Sequence, residues 1–532
     1  MVSQEQATQT KLNDHENRKF CGVTVQYILQ FISSLILPLM LGIFTVVITL
    51  HQQNATMKQR AEDRQVAREQ RLEDRNESQL QRAQELYVLT MQHEANRNMS
   101  NDRYEDEVLF TYIKDMGELL ERYNGSLTSN PTIRTLARVK TLNAIRQLDG
   151  SRNMHIIRFL YESEQLIGHD KSPPLDISTA KLVNLDFRSL TNAPGLKDVF
   201  LFGVIFEDCM FEDMKLEEIF FSEVVFKNVS FMSNDFEEME FSSNTFELVQ
   251  FYEATFDYVD FSYSVFRFTN FSTAHITNVD FSSASFDSID FSQAFLVDAT
   301  FTDTVFADTD FSASDISDTD FSEAELEDVD FSSTSFSGIY FAETTLEDVD
   351  FSSTNLNDVN FSFTVFNTID FSFATLEDID LSQSRFNNVN FSYADIWEID
   401  FSSAHQLYDI DFSFVTLFGN VNFASTRLDL ATFHYAIMPQ TNFLHSKCEM
   451  AHFDHADLST SVFSYTNAQG ASFKSANLTD VNFSFAILRE ADFTNTSITE
   501  DQLQSALSIR DAQLPNGTLG HDSSWIKNGH AD

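Results

Sequence analysis

The chain has 532 residues, with 81 Asp and Glu against 34 Lys and Arg, for a formal net charge of −47. That balance argues against direct binding of nucleic acid through its phosphates, and three cysteines are too few for a disulfide framework. The charge is also unevenly placed: 21 Lys/Arg and 22 Asp/Glu precede Asp176, whereas 13 and 59 follow from it onward.

Residues 1–22 read as a polar N-terminal tail. Residues 23–50 are predominantly apolar, interrupted by Gln26, Gln30, Ser33 and Ser34 and with Pro38 in the middle. Their length predicts a single membrane-spanning helix. The run is too long for a usual signal-peptide core. Flanking Lys and Arg number three before it (Lys11, Arg18, Lys19) and four after (Lys58, Arg60, Arg64, Arg68), so charge does not orient it. Cysteine usage leans toward a cytosolic rod on a single-pass protein, with the membrane a partner through residues 23–50. The third cysteine, Cys21, reads as an idle thiol beside that segment.

Residues 51–105 lack Pro and Gly and are rich in Arg, Glu and Gln, the composition of a long exposed helix acting as spacer. Val66, Leu72 and Leu80 do not keep heptad register, so coiled-coil pairing has only weak support. Residues 106–172 predict three amphipathic helices. Val108, Leu109, Tyr112, Ile113, Met116, Leu119 and Leu120 form the first apolar face. Asn130-Pro131 supplies a cap and first-turn proline for the second, and Asp149-Gly150 separates the third. This module would cap a repeat domain beginning near residue 173, because solenoid ends expose strand edges and apolar rings.

From about Leu196 to Phe401, nearly every fifth residue is large and apolar, usually Phe. A five-residue spacing would spiral around a helix and alternate faces in a strand. Each block must therefore turn a corner. The residue two before the Phe is Val, Ile, Ala, Ser or Thr (Val279, Ala284, Ile289, Ala294, Ala299, Thr304), and the other positions are mostly polar. Two inward side chains per short extended piece, then a polar corner, describe a coil stacked on itself around a narrow core. A ten-residue super-period overlies this. Val or Ile occupies the small position in the Asp-Phe and Asn-Phe blocks (Val329, Val349, Val359, Ile369) and in the Tyr-Phe block of Ile339, while Ala, Ser or Thr fills the alternate ones. The register slips by one residue near Gln406 and again near Gly419, then holds to Leu503.

Ala324-Glu325-Leu326-Glu327-Asp328, Ala456-Asp457-Leu458-Ser459-Thr460 and Ala476-Asn477-Leu478-Thr479-Asp480 resemble the pentapeptide repeat proteins over about Ser178 to Leu503. The resemblance implies a mainly β fold: a right-handed quadrilateral parallel β-helix over 173–505, four repeats to a coil and about fifteen coils. In chain order it would follow the transmembrane helix, the polar helix and the helical module. Residues 506–532 would supply a closing segment and, beyond about 518, a disordered tail.

Motifs for phosphate loops, dinucleotide folds, zinc proteases and paired cysteines are absent, and His is nearly missing between His275 and His405. The expectation is a non-enzyme with no catalytic, cofactor-binding or metal residues. His434, His445, His452, His455 and Cys448 form the one cluster worth weighing. Four repeats per coil would stack His434 and His452 with His455 nearby, leave His445 across the rod and turn Cys448 inward; scattered surface histidines are favoured over a metal site there. The acids preceding central residues (Asp280, Asp290, Asp310, Asp320, Asp330, Asp350, Asp370, Asp380, Asp400) should stack into ladders. The functional expectation is a membrane-anchored scaffold offering an acidic rod to a protein partner, possibly a basic one. Two alternatives stand beside it: a DNA mimic acting on a type II topoisomerase, which the family resemblance implies, and an acidic Ca²⁺-gathering surface protein. Oligomeric state and partner identity have no signal.

Overall fold

A computed structural model describes residues 91, 99–168, 173–190 and 197–522. Residues 102–532 cluster as one compact unit. Its first element is helix α1, residues 99–122, from Asp102 onward. α2 follows at Pro131–Ile145, capped by Asn130, whose side chain accepts from the Thr132 and Ile133 amides. α3 spans Gly150–Glu162, capped by Asp149. Arg152 ties α3 to α1, donating to Asp106 at 2.8 Å and to Glu105 at 3.1 Å.

These helices lie against the first coil. Met116, Ile145, Ile156 and Leu160 belong to the same continuous core as Leu182, Leu185 and Phe187. Arg138 donates to the Ser178 carbonyl at 3.1 Å, and the Phe200 amide bonds Leu166 O at 3.1 Å. A Cβ on Gly150 would collide with the Asn184 carbonyl, so α3 starts directly on solenoid backbone.

The rest is a parallel β-solenoid. One sheet has twelve strands, from Lys181–Val183 to His405–Asp411, and a second has eleven, from Lys215–Glu217 to Thr416–Phe418. Partners lie 20 residues apart through most of the rod, as in Phe266↔Phe286, and 24 apart in the first pair, Lys181↔Ile205. Beyond the sheets, Arg427↔Lys447, Thr432↔His452, Ile437↔Asp457 and Asn442↔Val462 give four bridged columns at five-residue steps, one per side. Both expected slips are visible. His405 still faces Arg385, but Leu407 faces Phe386, so Gln406 is the extra residue. The offset grows again between Thr416, which faces Asp395, and Asn422, which faces Asp400. Each surplus residue is absorbed locally without shifting inward positions, as a bulge allows.

The core is a column of rings. Phe321, Phe341 and Phe361 stack at centroid distances of 4.9 and 5.1 Å, and Phe341 meets Phe331 and Phe351 edge-on at 6.0 Å. Stacked and T-shaped pairs each add about 0.5–1.5 kcal/mol to burial. The small position is buried as well, and its hydroxyls are satisfied: Thr334 donates to Phe311 O at 2.9 Å and Thr364 to Phe341 O at 2.6 Å. Branched residues stack on branched ones (Val349↔Ile369, Val359↔Ile379), so the super-period sorts side-chain volume by face.

Two local devices make the corner. The second residue after each central residue is left-handed along nearly the whole rod, for example Ser353 (φ 58°), Asp358 (57°), Phe363 (60°) and Thr368 (57°). No Val or Ile is among these positive-φ residues, although the β-branched Thr is, at Thr273, Thr368 and Thr460. The residue before the Phe forms an Asx turn: Asp330 Oδ1 accepts the Ser332 amide at 2.7 Å, and Asn360 Oδ1 accepts that of Ser362 at 2.8 Å.

Asp330→Asn therefore keeps the turn and removes two like-charge neighbours, Asp310 and Asp350, each repelling by about 0.8 kcal/mol in water at ~5 Å. Asparagine in this column also bonds along it, as Asn390 does to Asp370 at 2.9 Å. The variant should gain about 0.5–1 kcal/mol at low salt. The gain should fade at 1 M salt, where screening acts within ~3 Å. Asp330→Ala should forfeit it by losing the turn bond, worth about 1 kcal/mol. Urea titrations that place alanine level with asparagine would refute the turn's contribution.

The C-terminal end is closed by a short helix, Glu500–Ser505, with a Thr499/Gln502 capping box. Gln502 Nε2 donates to Leu478 O and Val481 O at 2.8 and 2.9 Å. The chain then folds back, with Gln513↔Leu519 antiparallel and Asp522 accepting from the Ile509 amide at 2.9 Å.

The membrane reading requires correction. Among the described residues no helix is long and apolar enough to cross a membrane. The predicted span, 23–50, lies outside the described residues, as do the tail 1–22 and all of 51–98 except Met91. The transmembrane helix, the single-pass localisation and the membrane as partner are withdrawn. They rested on hydropathy alone, in a run diluted by four polar residues and interrupted by Pro38, which cannot donate a helix hydrogen bond. Coiled-coil pairing is withdrawn too, since the apolar positions never held a heptad.

Candidate functional site

The outward chemistry follows from strand alternation. Around each inward Phe, the residues immediately before and after it point outward, and the next residue forms the corner. Stacking at 20-residue intervals turns each position into a column.

One edge gathers three features. Asp290, Asp310, Asp330, Asp350 and Asp370 are successive parallel partners, the expected acidic ladder. The same column continues as Asn390, Asp411, Thr432, His452, Ser472 and Asp492. The other expected ladder is broken: Asp280 is followed by Thr300, Asp320, Tyr340, Asn360 and Asp380.

Three residues along, at the corner, runs a stack of exposed aromatic rings. Phe373, Tyr393, Phe414, Tyr435 and His455 stack in order at 4.8, 4.6, 5.1 and 4.5 Å, with interplanar angles of 8° or less. Phe373 is 60% exposed and Tyr435 50%. Backbone stacking holds these rings in register, so apolar surface is presented at little further ordering cost. The sequence contains the signal, aromatics at the corner position every 20 or 21 residues, but it is hidden among many more Phe at inward positions.

The histidines are arranged partly as expected. The His434 and His452 rings lie 5.5 Å apart. His455 instead stacks on Tyr435, and His445 stacks on Tyr465 at 4.9 Å, ten residues from His455 and so at the opposite corner. The third group beside His434 and His452 is Asp454, with Oδ2 3.7 Å from His434 Nδ1. Among the described residues this is the one group of His, Cys, Asp or Glu whose donor atoms converge, all within 4.8 Å of one another. Among the described residues no group of carboxylates alone converges in this way. Cys209 and Cys448 are buried and unpaired. Burial pushes their thiols up, to about 11 and about 12, as for inert core residues.

Comparison with known proteins agrees with this geometry. A profile of the pentapeptide repeat region matches residues 274–351 and 304–381, and one of eight pentapeptide repeats matches 250–287, 369–405, 446–480 and 476–500. These repeats define a non-catalytic structural and interaction family, and the protein is not an enzyme. No curated protein matches. Similar solved structures include full-length QnrB1, a plasmid-mediated fluoroquinolone resistance protein, at 14% identity and TM-score 0.18, covering 42% of this chain and 92% of that one. HetL of the cyanobacterium Nostoc sp. strain PCC 7120, involved in heterocyst differentiation regulation, is 21% identical with TM-score 0.15, covering 48% and 92%. A pentapeptide repeat protein of the Arabidopsis thaliana thylakoid lumen is 25% identical with TM-score 0.11, covering 17% and 67%. At such scores these likenesses bear no functional weight.

Proposed function

We propose that the protein is an interaction rod, residues 173–505, that presents an acidic and aromatic edge to a cationic protein partner. The helices of 106–172 cover its first coil and residues 506–522 close its last. The observation that carries this is the continuity of one edge, where the Asp290–Asp370 ladder gives way to the Phe373–His455 ring stack. Negative charge draws in a basic surface, and exposed ring faces favour guanidinium, which stacks, over ammonium, which does not. An Arg-rich partner fits both.

Fluorescence anisotropy with deca-arginine and deca-lysine peptides tests this on the full chain. Arginine should bind at least several-fold more tightly. Each exposed ring contributes about 0.5–1 kcal/mol, so the triple change Phe373→Ala, Tyr393→Ala and Phe414→Ala should weaken arginine roughly tenfold or more and lysine little. Equal affinities, or no response to ring removal, would reject the edge as the docking surface.

A narrower reading is nucleic-acid mimicry, in which the partner is a DNA-binding protein such as a type II topoisomerase. Charge density favours it. From Asp176 onward, 59 acids against 13 bases leave −46. With 20 residues per coil and about 4.8 Å per coil, that is roughly one net charge per 2 Å, near the ~1.7 Å of duplex DNA. Gyrase supercoiling unaffected by micromolar protein would eliminate this reading and leave the wider one standing.

A further inference from the structure

We infer that His434, His452 and Asp454 bind one divalent transition-metal ion of the Zn²⁺ or Ni²⁺ type. The placement follows from the coil. His452 and Asp454 flank the inward Phe453, so both project outward from one strand, and His434 sits one coil away in the column of Asp454. Three donors from two adjacent coils converge on one patch, with His452 exposed and His434 and Asp454 half-buried.

The carboxylate is oriented in advance. Asp454 Oδ1 accepts from the Ser472 hydroxyl and from the Lys474 amide at 3.0 Å, which leaves Oδ2 toward His434. Outer hydrogen bonds of this kind fix ligand direction in metal sites. Lys474, whose amide bonds Asp454, directs its Nζ to Asp492 Oδ2 at 3.3 Å. A metal at 2.0–2.1 Å from each donor needs donors about 3.3 Å apart. Side-chain rotation of the exposed His452 supplies the contraction from 4.8 Å or less. Two imidazole nitrogens and one carboxylate oxygen suit borderline ions and not Ca²⁺ or Mg²⁺, which take oxygen shells. A fourth position stays open to water.

The test is calorimetric titration of the full chain with ZnCl₂ in millimolar Mg²⁺, which occupies the diffuse acidic surface. Wild type should show a Zn²⁺ site that Mg²⁺ does not displace. His452→Ala and Asp454→Asn should each weaken it at least tenfold, and Ser472→Ala should weaken it about tenfold. His445→Ala, at the opposite corner, should leave it unchanged. His452 and His445 are exposed, Asp454 is half-buried and Ser472 is buried, so circular dichroism checks that each variant keeps its fold. A Zn²⁺ isotherm no stronger than the Mg²⁺-screened background, or one that His452→Ala leaves intact, would overturn the assignment.

Discussion

Phe341→Ala is expected to cost about 3–5 kcal/mol, the range for removing a fully buried ring whose cavity cannot collapse. The ring is wholly buried, stacked on Phe321 and Phe361 and met edge-on by Phe331, Phe336 and Phe351. Collapse is blocked because backbone hydrogen bonds between coils set the spacing, as from Phe341 N to Asn360 O at 2.7 Å. A solenoid couples only nearest neighbours, so a mid-rod lesion should also split unfolding into two transitions, one for each side. Phe363→Ala provides the contrast. That ring sits at a left-handed corner, 58% exposed, and its loss should stay within about 0.5 kcal/mol. Two phenylalanines 22 residues apart should thus differ several-fold in cost. Equal shifts in a urea titration would mean that the ring column does not hold the rod together.

What the sequence disclosed, and what it hid, divides along the same line. The inward positions were legible because only a corner in each block reconciles a five-residue period with a continuous core; Phe321 to Phe361 follow directly. At the corner itself the sequence shows only polarity. Its left-handed backbone left little trace because Asp, Ser, Glu, Phe and Tyr all occupy it, and only the missing Val and Ile betray it. In the sequence Asp330 shows only as charge, although its turn-forming bond to Ser332 is what makes Asp and Asn interchangeable there. The histidine cluster was half legible. Stacking by twenties brought His434 near His452, but strand alternation around Phe453 selects Asp454 as the third group and sends His455 to the corner. The apolar run at 23–50 misled because hydropathy registers composition and is silent on the surroundings.

Deletions give the most demanding test of the super-period. Removing residues 332–351 takes out one whole coil and joins Phe331 to Ser352, so every column resumes with its own kind: Thr354 replaces Thr334 and Val359 replaces Ile339. The shortened rod should fold with nearly unchanged stability and lose about one strand spacing, ~4.8 Å, in length by small-angle scattering. Removing 332–341 advances the chain by half a coil. Thr344 then stands in place of Thr334, and the tolerance should be almost as good because opposite faces share one volume pattern. Removing only 332–336 brings Ile339 to the place of Thr334. Branched residues would then meet the small-residue columns at one junction, at an overpacking cost of about 1–3 kcal/mol for each crowded site. Deleting Ser353 alone should be worst. Four residues cannot supply both a side and its left-handed corner, so Leu356 would be forced outward or the next coil unpaired. The natural surpluses at Gln406 and just after Gly419 cost little by comparison, because an added residue can loop outward while a missing one cannot be replaced. Thermal melts that failed to rank the ten-residue deletion above the five-residue one would refute the sorting of side-chain volume by face, even with the coil itself intact.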